Sequence, residues 1–204
     1  DANIAGLGEN RFGAGKGSKH MLYMTVSTGI GGGIILDGKI YRGATFGAGE
    51  IGHITINMNG PRCGCGNYGC VEALASGPAI ARTAKEALIN YPDSLLNSYP
   101  EITAKEVAEA ARKGDQLSIE VINKAAGYIG ATLANLVNTL NPDLIVIGGG
   151  VSQMGDLLLI PIRDEVRKRA IKSFSENLKI VPAELGGDVG VMGAIALAQC
   201  SGEV

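Results

Sequence analysis

Four residues, His53, Cys63, Cys65 and Cys70, stand as His-x9-Cys-x-Cys-x4-Cys within eighteen positions, and this cluster limits what its surroundings can fold into. Three thiolates and one imidazole match a tetrahedral structural zinc site in donor type and number. The surrounding segment, residues 43–72, is rich in glycine and lacks any helical period. An irregular loop of that length needs a staple, and a metal ion would supply one. Gly60, Gly64, Gly66 and Gly69 let the backbone turn tightly around an ion. The competing readings are a disulfide pair, or free buried cysteines beside an uninvolved histidine. Cysteines separated by one residue rarely bridge, and a cytosolic setting disfavours disulfides in general. With His53, Cys63, Cys65 and Cys70 as ligands, no position is left open for water, so the expected zinc is structural, not catalytic. Cys200, in an apolar stretch, is expected in the core.

The same segment carries Glu50, three residues before His53, and Glu72, two after Cys70. Carboxylates on a pinned loop are suited to gripping hydroxyl groups, because each ionised oxygen accepts hydrogen bonds in fixed directions. The bland alternative is a pair of solvated surface glutamates.

Glycine supplies 31 of the 204 residues, about twice the usual ~7%. Without a proline excess or a Gly-x-y period this excludes collagen and points to turns that approach a ligand. A formal charge of −2 with no block of Lys and Arg argues against nucleic-acid binding by this chain. No run approaches the ~18 apolar residues of a membrane span, and no secretory signal is visible, so no membrane partner and a cytoplasmic location are expected. Residue 1 is aspartate and not an initiator methionine, which is compatible with a piece of something longer.

Asp1–Lys19 is rich in Gly and Ala and ends in a loop-like Gly13-Ala-Gly-Lys-Gly-Ser18. Met21–Ser27 reads as a strand, broken at Gly29–Gly33 and resumed to Leu36, with Asp37-Gly38 as a hairpin turn before Lys39–Arg42. Residues 43–72 are read as a loop with short strand-like pieces such as Ile51–Ile56. Helices are predicted over Gly77–Asn90, Thr103–Lys113 with a Thr103/Glu106 capping box, and Asp115–Leu140. In the last, Ile119, Ile122, Ala126, Ile129, Leu133, Leu136 and Leu140 form a core stripe that Asn141-Pro142 ends. Asp143–Gly150 reads as a buried strand opening into three glycines, followed by a helix over Asp156–Lys172, a strand near Leu178–Val181 and a small-residue helix over Gly190–Gln199. A meander followed by alternating strands and helices is an α/β pattern, and without a repeat or linker, 1–204 is read as a single domain.

Ser27-Thr28-Gly29-Ile30-Gly31-Gly32-Gly33 follows a strand, and free N–H groups in such a turn, with the Thr28 hydroxyl, can cradle phosphate. It lacks the Walker lysine and leads into a strand, so neither P-loop nor dinucleotide fingerprint applies, and a plain tight turn stays open. Gly148-Gly149-Gly150 is equally ambiguous, although the carboxyl end of a strand is where open α/β sheets place ligands.

Taken together, these pieces resemble the ROK family, which contains bacterial sugar kinases and related transcriptional repressors of the actin-like ATPase superfamily. The matching residues are Asp1-Ala-Asn3, Ser27–Gly33, Gly49-Glu-Ile-Gly-His53, Cys63–Glu72, Ile147–Val151 and Gly193-Ala194, in the family's order over nearly the whole chain. The resemblance implies the C-terminal lobe of an actin-like (ribonuclease H-like) α/β fold with a zinc-stapled loop, and an ATP- and Mg²⁺-dependent hexose kinase most like a glucokinase. By the same resemblance Asp1 is the catalytic base for the sugar 6-hydroxyl, and Glu50, His53 and Glu72 hold sugar hydroxyls. Thr28, Gly29, Gly31 and Gly32 would face the ATP phosphates, Gly148, Gly149 and Gly150 the adenosine. It further implies a homo-oligomer, dimer or tetramer.

The departure lies at the start. The family's N-terminal lobe, with its Asp-x-Gly-Gly-Thr phosphate loop, and the asparagine that usually precedes the catalytic aspartate are not in these residues. The 204 residues alone are therefore expected to be inactive as a kinase. The alternative is the sugar-sensing domain of a ROK repressor. A ligand-free, zinc-stapled assembly module is a third reading. Neither the hexose nor the phosphoryl donor, ATP or polyphosphate, is read from these motifs.

Overall fold

The structure, a computed structural model, describes residues 1–200, and the side chain of Cys200, expected in the core, lies outside the described residues. Strands β1 (Met21–Val26), β2 (Ile30–Leu36), β3 (Lys39–Ile40), β4 (Leu144–Gly148) and β5 (Lys179–Pro182) form one mixed sheet in the order β3-β2-β1-β4-β5. β1 and β2 are antiparallel, with Met21 opposite Ile35 and Val26 opposite Ile30. The β2–β3 turn places both Asp37 (φ 52°) and Gly38 (φ 73°) in the left-handed region, as a two-residue hairpin requires. β4 runs parallel to both β1 and β5.

The period of two along the strands serves two cores. Leu22, Met24, Val26, Ile145 and Ile147 point into a large core shared with α3 (Gly77–Ala87), α4 (Ala104–Arg112), α5 (Gln116–Leu140) and α6 (Asp156–Arg169). Met21, Tyr23, Ile35, Leu144 and Val146 point the other way, against α1 (Ala2–Phe12) and α8 (Val189–Cys200). Both faces are therefore covered, which explains why β4 is apolar throughout.

α5 forms as its sequence predicts. Asp115 caps it by accepting the Ser118 N–H at 2.9 Å, and Asn141, at φ 47°, ends it with its N–H on the Val137 carbonyl. Of the stripe, Ile122, Ala126, Ile129 and Leu133 are fully buried, while Ile119, Leu136 and Leu140 pack at the margin. The Thr103/Glu106 capping box opens α4. The stretch predicted as one helix to Lys172 stops at Arg169 and resumes as the short α7 (Lys172–Ser175).

Two readings are corrected, and one stretch that carried no assignment gains one. Residues 2–12, read only as rich in Gly and Ala, form a helix. Its glycines serve close approach: a Cβ on Gly6 would lie 3.0 Å from that of Tyr23, and one on Gly8 would lie 2.8 Å from the Gly193 nitrogen. The glycines at 31–33 do not break the strand but form its first half. A Cβ on Gly31 would meet that of Ala2 at 2.9 Å, and one on Gly32, on the other face, would meet Ile51 Cδ1 at 2.4 Å. Ile51–His53 is a single 3-10 turn, not a strand piece, and the loop ends in a short helix, α2 (Val71–Ala75).

Candidate functional site

The 43–70 loop is shaped by its own backbone. The Cys63 N–H donates to the Asn67 carbonyl at 2.7 Å, the Gly69 N–H to Pro61 at 2.8 Å and the Val71 N–H to Ile54 at 3.0 Å. Isolated bridges pair Thr55 with Cys70 and Arg62 with Tyr68. Gly69 has φ 66°, and a Cβ there would fall 1.5 Å from the Asn57 oxygen, so this turn admits no side chain.

This folding gathers His53, Cys63, Cys65 and Cys70, whose donor atoms all lie within 4.8 Å of one another. His53 Nδ1 is 3.6 Å from Cys63 Sγ, and Cys65 Sγ is 3.7 Å from Cys70 Sγ. Donors around a tetrahedral zinc at its usual bond lengths stand roughly 3.3–3.8 Å apart, so the residues fit the ion in chemistry and these two pairs fit it in spacing. Cys63 and Cys70 are buried and Cys65 is exposed. Burial, with Cys65 and Cys63 adding to it, pushes the Cys70 thiol up to about 12, whereas the Asn67 backbone N–H holds Cys65 below the usual thiol range. A cation among them would favour all three thiolates.

Around this centre stand the two glutamates. Glu72 accepts the Ile30 N–H through Oε2 at 3.0 Å and lies 3.7 Å from Cys63 Sγ through Oε1. Glu50 is exposed, with Oε2 3.9 Å from His53 Nε2, so the imidazole turns one nitrogen to the thiols and the other to a carboxylate. Asp1 is exposed at the N-cap of α1, and its side chain caps no N–H. α1 starts against Gly31 of β2, and Asn3 donates to the Ala48 carbonyl at 3.0 Å. Asp1, Glu50, His53 and Glu72 are thereby grouped around the first residues of β2.

The glycine signals divide. Thr28, in the β1–β2 turn, and Gly150, after β4, line one cavity of about 950 Å³. Gly29 abuts Glu72: a Cβ there would lie 2.7 Å from Oε2. Gly31 and Gly32 lie within β2. Gly148 and Gly149 pack against the sheet, where a Cβ on Gly148 would lie 2.5 Å from the Tyr23 hydroxyl and one on Gly149 (φ 87°) 2.4 Å from the Val26 oxygen.

The other walls of the cavity come from α3, through Gly77, Pro78 and Ala81, and from α4, through Ala104, Ala108 and Arg112. Sequence reasoning did not place these helices at a site. The available signal was the pairing of small residues four apart, Gly77 with Ala81 and Ala104 with Ala108, on two consecutive helices.

A second missed residue is Glu9, fully buried in α1. Its carboxylate accepts the N–H groups of Ala14 (2.9 Å), Glu184 (3.0 Å) and Leu185 (2.8 Å), joining the end of α1 to the segment before α8.

A family model described as the ROK family matches residues 1–201. The chain is 46% identical over 198 residues to a glucokinase of Halalkalibacterium halodurans, covering 95% of this chain and 60% of that protein. It is 36% identical over 200 residues to a xylose repressor of Caldicellulosiruptor bescii, covering 97% of this chain and 50% of that protein. Among solved structures, a ROK family glucokinase from Streptomyces griseus in complex with glucose and AMPPNP superposes with a TM-score of 0.89 at 40% identity, over 97% of this chain and 66% of that one. The chain thus spans less than two thirds of the length of these relatives. Among the described residues no helix is long and apolar enough to cross a membrane.

Proposed function

The chain belongs to the ROK family, and from that premise we propose that it is the C-terminal lobe of a two-lobe sugar kinase that phosphorylates the 6-hydroxyl of a glucose-like hexose with ATP. The observation that carries this reading is the grouping of Asp1, Glu50, His53 and Glu72 about the start of β2, one turn from a cavity that Thr28 lines. Glucose and a nucleotide analogue are bound by the Streptomyces griseus relative, which supports both ligand classes.

Asp1 takes the proton from the 6-hydroxyl as that oxygen bonds to the γ-phosphorus, and the bond from γ-phosphorus to the β–γ bridging oxygen breaks to release ADP. A carboxylate whose side chain caps no N–H is free for that task. Glu50, Glu72 and His53 Nε2 orient the sugar through its other hydroxyls, since phosphoryl transfer depends chiefly on alignment. Thr28 and Gly29 contact the phosphates, with Gly31 and Gly32 forming the strand behind them. Gly150 contacts the adenosine, and Gly148 and Gly149 set the path of the turn that presents it. Mg²⁺, when bound with the ATP phosphates, would spread their charge.

His53 through Nδ1, with Cys63, Cys65 and Cys70, would hold zinc. When bound, the ion would anchor the loop and the imidazole, whose second nitrogen stays available to sugar. The location of the kinase is cytoplasmic, and its copies associate as dimers or tetramers.

The test is a coupled assay over a panel of hexoses, using the protein with its upstream lobe and the 204-residue chain side by side. The longer protein is expected to phosphorylate glucose and the chain alone is not, and Asp1→Asn in the longer protein should lower kcat by about a thousandfold or more. Substantial phosphorylation by the chain alone, or an unimpaired Asp1→Asn, would overturn the reading. The repressor similarity supports a second reading, a sugar-sensing domain. An upstream helix-turn-helix, together with sugar binding but no phosphorylation, would establish it.

A further inference from the structure

Asn3 has no part in the chemistry above, yet its side chain crosses from the helix that carries Asp1 to the loop that carries Glu50. Its Nδ2 donates to the Ala48 carbonyl at 3.0 Å, a bond between residues 45 positions apart. Its Oδ1 is shut off from solvent and, among the described residues, is the one buried side-chain polar atom without a hydrogen-bond partner.

The next residue, Gly49, is held from both sides. At φ 98°, a Cβ there would lie 2.5 Å from the Gly32 oxygen and 3.2 Å from Asn3 Oδ1. The Gly49 carbonyl in turn accepts the Ile51 N–H at 2.7 Å, opening the 3-10 turn that ends at His53. The 48–50 segment is thus clamped between Asn3 on α1 and Gly32 on β2, and Glu50 projects from the clamp.

We propose that Asn3 is a positioning residue that fixes Glu50 relative to Asp1, and so sets the sugar in line for proton removal. This rests on the kinase reading. An amide suits the place because it offers a donor to Ala48 without bringing a charge to a spot where its Oδ1 is closed off from solvent. Aspartate at this position would keep nearly the same shape, lose the donor and add a charge cut off from water.

The experiment uses the protein with its upstream lobe and the hexose that the wild type phosphorylates best. Asn3→Ala and the near-isosteric Asn3→Asp should each raise the sugar KM or lower kcat by about tenfold to a hundredfold, as small misplacements of reacting groups do. The ATP KM should change less than about twofold. In a double-mutant cycle, Asn3→Ala should add little to the loss already caused by Glu50→Ala, because Asn3 acts through Glu50.

Normal sugar kinetics in both Asn3 variants would overturn the proposal, as would fully additive losses with Glu50→Ala or equal loss toward ATP and sugar. A wild type that neither binds nor phosphorylates any hexose, by calorimetry and by assay, would overturn the kinase reading and this proposal with it.

Discussion

His53 Nδ1 faces Cys63 Sγ at 3.6 Å. The ring is thereby oriented by the thiol cluster, and its far nitrogen is delivered to the neighbourhood of Glu50. A single residue thus ties the stapled loop to the proposed sugar grip, and the integrity of one should be visible in the other.

The chain purified without chelator is expected to carry about one zinc, by elemental analysis, as four protein donors imply. Cys70→Ser should reduce that content to well under half. Stripping the metal should lower the Tm by about 5 °C or more, while α5 and α6, packed against each other, keep the far-ultraviolet helix signal. Full stability after stripping would show that the hydrogen bonds of the loop suffice without an ion.

Gly66 and Gly69 separate backbone strain from steric exclusion. Both have positive φ, at 98° and 66°, but only at Gly69 would a Cβ collide with a neighbour, the Asn57 oxygen. Gly66→Ala should cost about 1 kcal/mol in urea unfolding. Gly69→Ala should cost about 3 kcal/mol or more and impair metal retention as well.

Glu9→Ala leaves three partly buried N–H groups, those of Ala14, Glu184 and Leu185, without their acceptor. The expected loss is about 2 kcal/mol. Glu176→Ala, which breaks only the exposed 3.8 Å pair with Lys172, is the control and should change stability by less than about 0.5 kcal/mol.

Asp115 governs part of the acid limb of stability. Burial works against its ionisation, but the Ser118 N–H and hydroxyl, with Ser94 and the Leu95 N–H, outweigh it and hold the carboxyl below the usual range. A folded value below the unfolded one stabilises above about pH 4, and that contribution fades as pH falls through the folded value. Asp115→Asn keeps a capping side chain but removes the titration, so the midpoint of thermal unfolding should vary less between pH 5 and pH 3, roughly the span of that fade.

Filling the cavity tests the nucleotide assignment independently of the sugar. Ala81 and Ala108 face it from α3 and α4. Ala108→Phe in the longer protein should weaken ATP binding by about tenfold or more while sugar affinity holds, as expected when a bulky group occupies a preformed pocket.

What could be read in advance follows how far each signal reaches along the chain. The His53 and cysteine donors lie within eighteen residues, and the caps and stripe of α5 lie within one helix, so both are local patterns. α1 was not legible because the reasons for Gly6 and Gly8 are Tyr23 and Gly193, brought near only by the finished fold. Glu9 gives no local sign that residues 184 and 185 will supply its donors. The cavity was missed because small residues on two helices mean little until the helices face one another. Gly29–Gly33 looked like a turn because three of its glycines are explained by crowding on β2, not by chain reversal.

The sheet ends on one side in β3, only Lys39 and Ile40, and on the other in β5, bounded by Lys179 and Pro182. A foreign strand would find a strand of two residues at one margin, and at the other a charge and a proline with no N–H to offer. Edge-to-edge pairing of sheets, the route to strand-on-strand fibrils, is thereby disfavoured.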